Sequence, residues 1–300
     1  MKKLHGVTTA MVTPMDEMGR VNLEGVKQLT NFLIEKGVDC LYPLGTTGEM
    51  LKLSIEERKI VAETIIATTK GRATVYIHVG SMSTDTTIEL AKHAQAIGAD
   101  GIGIVTPVFF YTNERELENY FVQVANSVSE DFPVYLYSIP QCAANDISVE
   151  LLQKMMTRCK NVVGIKYSFG DFVKTQEYSL VNGGDVSVMH GCDRLFAPLL
   201  TLGCDGTISG ISCVYPEPFV AVYKAFNENN IPEARRLQNI AATFCKVLRG
   251  GTNMAYFKSA LEHRGIAAGH MRKPSLNLTL DELTAFKKEL IKLDELLKEI

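Results

Sequence analysis

Residues 23–49 read LEGVKQLTNFLIEKGVDCLYPLGTTGE, and the period of the pattern changes half-way along. Leu23, Val26, Leu29, Phe32 and Leu33 recur at the three- and four-residue spacing of a helix with one apolar face. Gly37 is placed to end that helix in the left-handed conformation, and Asp39–Leu44 then has the length and residue types of a buried strand. The polar stretch Gly45-Thr46-Thr47-Gly48-Glu49 follows, and Ser54 with Glu57 marks the capped start of the next helix. The unit is a strand followed by a helix, about 30 residues long.

Further short apolar runs rich in β-branched residues lie at Gly6–Val12, Thr74–Val79, Gly101–Val105, Pro133–Tyr137, Asn161–Lys166, Val186–His190 and Gly206–Ser209. Segments with helical spacing separate them, one opened by Asn113 with Glu116 and another closed by Gly98. Repeated βα units without a linker predict a closed (β/α)8 barrel of class α/β. No Gly-x-Gly-x-x-Gly follows the first strand, which argues against an open doubly wound sheet. From about residue 231 three more helical segments are expected, the last opening at Thr279 with Glu282 and carrying Leu283, Phe286, Leu290, Leu293 and Leu297. That stripe fits either the barrel or a neighbouring subunit. Residues 1–230 are thus expected to form a catalytic barrel, with 231–300 a helical region packed on it as one structural unit.

The 300 residues are 46% hydrophobic and 22% charged, ordinary globular usage that supports a large core. A net charge of -3 provides no basic field for nucleic acid or an anionic membrane. No apolar run approaches the roughly 20 residues that span a bilayer, and the N-terminal stretch after Met1-Lys2-Lys3 is too short and polar for an export signal. The seven cysteines are odd in number and include no Cys-x-x-Cys pair, so they are expected to be reduced thiols in a cytoplasmic protein. The six histidines lack metal-ligand spacing and are expected to be structural or superficial, with His190 at the end of the seventh strand the one to watch.

Barrels of this kind react at the C-terminal ends of their strands, so polar residues ending apolar strands come first. Side-chain alternation along Val162-Val163-Gly164-Ile165-Lys166 predicts Lys166 on one face with Val162 and Gly164, pointing into the barrel mouth. Desolvation there disfavours the ammonium and leaves an amine able to attack a carbonyl carbon and form an imine. Position alone equally fits a lysine that snorkels to solvent. Tyr137 ends the fifth strand, either as a proton relay or as an aromatic filling the barrel. Gly45–Glu49 combines two glycines, two hydroxyls and successive N–H groups, which suits a carboxylate cradle or an ordinary turn. Cradle, phenol and inward amine together are what a 2-oxo acid requires.

With Gly45-Thr46-Thr47-Gly48-Glu49, Tyr137-Ser138-Ile139-Pro140, Gly164-Ile165-Lys166 and Gly203-Cys204-Asp205-Gly206 in this order, the chain resembles the dihydrodipicolinate synthase and N-acetylneuraminate lyase family over nearly its whole length. The resemblance implies a homotetrameric barrel enzyme without metal or organic cofactor, in which Lys166 forms an imine with pyruvate. It implies that Tyr137 shuttles protons, and that Thr46 and Thr47 bind the pyruvate carboxylate, with Thr46 also passing protons and Gly48 beside them. It places the Ile208 backbone carbonyl towards the intermediate.

The same comparison exposes departures. Dihydrodipicolinate synthases usually carry an arginine two residues after the motif's proline, where this chain has Cys142, and a tyrosine at Phe109, where the nearest phenol here is Tyr111. Sialic-acid lyases share Asp193 after Gly191, but their following acid is Arg194 here, a cation suited either to a substrate anion or to the surface. Ser168 and these loop residues complete the expected binding set. The leading expectation is an aldolase cleaving or forming a 2-keto-3-deoxy sugar acid or an N-acetylneuraminate-like substrate. The alternatives are the synthase reaction with aspartate semialdehyde, a sugar-acid dehydratase, and a non-catalytic binder of 2-oxo acids.

Overall fold

The computed structural model describes residues 1–300. Its strands are β1 (Gly6–Ala10), β2 (Cys40–Tyr42), β3 (Thr74–His78), β4 (Gly101–Val105), β5 (Val134–Ser138), β6 (Val162–Tyr167), β7 (Ser187–His190) and β8 (Gly206–Ser209). They lie parallel in sequence order, and β8 pairs back onto β1 to close a barrel with helices between the strands. The expected (β/α)8 architecture is the one observed, and each strand boundary falls within two residues of its expected place.

The local signals act as their chemistry dictates. Gly37 and Gly98 take φ of +81° and +82°, which end their helices at no steric cost. Reciprocal capping boxes form at Ser54 with Glu57, at Asn113 with Glu116 and at Thr279 with Glu282. The last seventy residues contribute helices Ile231–Val247, Met254–His263 and Leu280–Leu296. Phe286, Leu290 and Leu293 are fully buried in one continuous apolar core with barrel residues Val7, Leu41 and Ile165. The stripe that the sequence left open between barrel and subunit contact is used within the chain.

Residues alternate between that outer core and the lumen, where Cys40, Tyr42, Tyr76, Tyr135, Val163, Met189 and Ile208 pack together. Such large rings fit because β4 presents glycines to them. A Cβ on Gly101 would lie 2.3 Å from the Tyr76 ring, and one on Gly103 would lie 1.7 Å from the Tyr42 hydroxyl.

β6 departs from strict alternation. Val134 pairs with Val162, but the next residue of β5, Tyr135, pairs with Gly164, so Val163 is an extra residue in β6. Val162 therefore joins the outer core while Val163 faces the lumen, the reverse of the expected faces. After the bulge Ile165 and Tyr167 point outward and Lys166 inward. The expectation for Lys166 holds; its stated neighbour on that face does not, because the bulge shifts the alternation by one residue.

Gly164 makes the bulge possible, since a Cβ there would stand 2.1 Å from the Ser187 carbonyl oxygen of β7. Gly164→Ala is expected to cost about 1–3 kcal/mol of stability through overpacking. An unchanged urea midpoint would contradict this account of the bulge.

Candidate active site

Tyr137 on β5 and Lys166 on β6 are direct partners in the parallel ladder, so their inward side chains rise beside one another at the barrel mouth. Lys166 Nζ lies 4.0 Å from the centre of the Tyr137 ring and 4.7 Å from that of Tyr42. Both residues are nearly sealed, with 4% and 2% of their surface exposed. Tyr137 packs with Met50, Val105, Ile139 and Ala143, and four of these side chains also wall a neighbouring cavity of about 780 Å³.

Thr46 and Thr47 line that same cavity, Thr46 exposed and Thr47 partly covered. Their loop is fixed from below. Glu49 adopts the left-handed conformation at φ +58°, and its buried carboxylate meets Lys258 at 3.0 Å and Lys52 at 2.7 Å. Lys258, itself buried, also donates to the His270 carbonyl, and Lys52 donates to the Ser275 hydroxyl. The backbone carbonyl of Gly48 accepts from Thr13 at 2.7 Å. The loop bearing Thr46 and Thr47 is thereby held in one shape by Thr13, Lys52 and, from the C-terminal region, Lys258 and Ser275.

Of the remaining expected residues, Ile208 fills the lumen, and Ser168 and Gly191 touch closely enough that a Cβ on Gly191 would lie 2.2 Å from the Ser168 hydroxyl. Cys142 is exposed on the short helix Pro140–Ala143 and lines the cavity. Asp193 accepts from the Thr207 hydroxyl and the Ile211 amide, both at 3.3 Å. Burial pushes its carboxyl up to about 6 despite these hydrogen bonds and the charge of Lys166. Arg194 is exposed and forms no ion pair, and Tyr111 is 90% exposed beside the exposed Phe109 and Phe110. His190 faces the outer layer, edge-on to Tyr167 and beside Phe172, and burial lowers it to about 4. It does not join the amine.

Residues that the sequence reading passed over do. His78 ends β3 fully buried, with its ring 6.0 Å from Tyr137 and 6.1 Å from Tyr42. A polar residue closing an apolar strand was the signal available for it, the same signal that singles out Lys166. No cluster of side chains has the composition of a metal site.

The sequence profile of the Dihydrodipicolinate synthetase family matches residues 3–293. This chain belongs to that family. An uncharacterized DapA-like lyase of Pyrococcus horikoshii is 36% identical over 95% of this chain and 98% of its own. Ruminococcus gnavus sialic acid aldolase superposes with a TM-score of 0.94 at 27% identity, covering 99% of each chain. YagE, a family member from an Escherichia coli K12 prophage solved in complex with pyruvate, superposes with a TM-score of 0.91 at 29% identity over 98% and 99% of the two chains. The family's enzymes are lyases of the class I aldolase type, and this protein is an enzyme of that type. No helix is long and apolar enough to cross a membrane.

Asp193 sets a pH dependence with a definite sign. Its folded value, about 6, lies above the ordinary 3.8, so the folded chain binds this proton more tightly. Its contribution to stability is greatest below about pH 4 and declines as pH rises towards 6. In urea titrations from pH 4 to 7, Asp193→Asn should remove that decline relative to the parent; parallel profiles would refute the assignment.

Proposed function

We propose that this protein is a pyruvate-dependent aldolase whose Lys166 forms an imine with the keto carbon of pyruvate or a longer 2-oxo acid. The observation that carries the reading is the pairing of Lys166 with Tyr137 at 4.0 Å inside a nearly sealed barrel mouth, beside the Thr46-Thr47 cradle. An amine so placed meets a carbonyl without competing solvent, and the cradle's N–H groups and hydroxyls suit the adjacent carboxylate.

The amine adds to the keto carbon, and the carbonyl π electrons move onto oxygen. Tyr137 and Thr46 carry two protons in turn from nitrogen to that oxygen, the first giving a carbinolamine hydroxyl and the second letting it leave as water as the C=N bond forms. In cleavage, the hydroxyl on the departing carbon gives up its proton, which passes through Tyr137 to the imine nitrogen, and the aldehyde departs from the carbon next to the imine, leaving its bonding electrons there as an enamine. Condensation is the reverse, with the enamine attacking an aldehyde.

For the aldehyde half we favour an uncharged hydroxyaldehyde, released from a 2-keto-3-deoxy sugar acid or an N-acetylneuraminate-like substrate. Of the charged residues lining the cavity, Lys52 is paired with Glu49 and Glu282 caps its own helix, while Cys142 offers no cation. An aldehyde with its own carboxylate, as in the synthase reaction, finds no free partner there. Arg194, at the rim beyond the cavity, is left for a distal group. The exposed Phe109, Phe110 and Tyr111 fit contact between copies of the chain, in keeping with a cytoplasmic homotetramer.

Borohydride added with pyruvate should give an intact mass increased by one reduced pyruvate, mapped to Lys166 and lost in Lys166→Ala. Absence of an adduct in the parent would overturn the imine. In condensation assays with pyruvate, hydroxyaldehydes should exceed aspartate semialdehyde in kcat/KM by at least about tenfold, the worth of one unmatched charge-assisted contact. The opposite order would restore the synthase.

A further inference from the structure

Beneath Lys166 lie two buried polar atoms without partners, the hydroxyl of Tyr42 and Nε2 of His78. The other large phenols of the lumen are satisfied: Tyr76 donates to the Lys2 carbonyl at 2.6 Å, and Tyr135 donates to the Ser187 hydroxyl at 2.6 Å. Sealed groups of this kind cost stability unless matched, so their juxtaposition calls for a reason.

The two atoms are complementary. His78 Nδ1 lies 3.1 Å from the Leu44 carbonyl oxygen, which can only accept, so Nδ1 carries the proton and Nε2 presents a bare lone pair. Tyr42 has a hydroxyl proton to give. Its oxygen reaches over Gly103, the β4 residue in register with His78, which brings donor and acceptor to one level of the lumen. The two ring centres are 6.1 Å apart, a separation that a side-chain hydrogen bond or one bridging water can span.

The imidazole is held firmly and kept neutral. Buried Arg58 donates to the His78 and Gly80 carbonyls at 2.8 Å and 3.0 Å, fixing the end of β3. Burial, then the charges of Arg58 and Lys166, hold His78 well below its ordinary value. The ring of Tyr42 in turn supports Lys166 Nζ at 4.7 Å, alongside the support from Tyr137 at 4.0 Å.

We propose that Tyr42 and neutral His78 form a positioning pair, in which the hydroxyl donates to Nε2 directly or through one water and so fixes the aromatic floor that aims Lys166 at its substrate carbonyl. This rests on the imine reading above. Neither residue exchanges atoms with substrate; their effect reaches the reaction through the orientation of the amine.

The test is a double-mutant cycle on the rate of borohydride-trapped pyruvate adduct formation at saturating pyruvate, using Tyr42→Phe, His78→Leu and the double variant. Each single change should slow adduct formation about tenfold, and the double should be no slower than either, because both remove one interaction. His78→Gln, which keeps an acceptor, should recover part of the rate, while the pyruvate concentration giving half-maximal rate stays within about twofold. Multiplicative losses, or Tyr42→Phe reacting at the parental rate, would overturn the pair. Tyr42→Phe removes only one oxygen and decides the matter if His78→Leu fails to fold. An adduct in the parent separates these outcomes from failure of the imine itself.

Discussion

The extra residue in β6 governs the direction of Lys166. Val162 and Lys166 are four apart and would share a face in a regular strand, yet Val162 packs outward and Lys166 inward because Val163 and Gly164 shift the alternation. In a barrel buried on both faces, an outward lysine would meet apolar helices, and an inward one meets the mouth. The register with Tyr137 and the aromatic contacts follow from that one insertion, and the cost of the irregularity is contained by a residue without a side chain.

Around this point the lumen is built by exchange of volume between strands. β4 gives up side chains at Gly101 and Gly103, and the rings of Tyr76 and Tyr42 occupy the space. The lower ring is anchored to the N-terminal segment through the Lys2 carbonyl, whereas Tyr42, whose hydroxyl has no direct hydrogen bond, lies closer to the amine. The same core thus has a fully satisfied base and an incompletely satisfied top, a division between packing and chemistry expected of this architecture.

Most of the fold was legible because its signals are local. The capping residues, the left-handed glycines and the apolar runs each act within a few positions, and Lys166 and Tyr137 stood out as polar groups ending apolar strands. The bulge was not legible: Val162, Val163, Gly164 and Ile165 carry no polar alternation from which a change of face can be read. Nor was the Glu49–Lys258 contact, which joins segments far apart in the chain and has no signature at either end. His78 was passed over because, apart from His190, the histidines were judged by metal-ligand spacing rather than by their place on strands. Asp193 was located, but its raised proton affinity arises from burial that only the closed barrel assembles, against the opposing hydrogen bonds from Thr207 and Ile211.

The grip of Lys258 on Glu49 also bears on how the enzyme comes into being. The loop Gly45–Glu49 leaves the ribosome early, directly after β2 and together with Lys52, but the second ammonium on its buried carboxylate, that of Lys258, arrives only with the helix Met254–His263. During synthesis the nascent chain can close most of its sheet while Glu49 still lacks that partner. Completion of this cavity-lining loop is in this way deferred until nearly the whole polypeptide is present, and a fragment ending before that helix would carry Lys166 with Glu49 lacking one of its two cations.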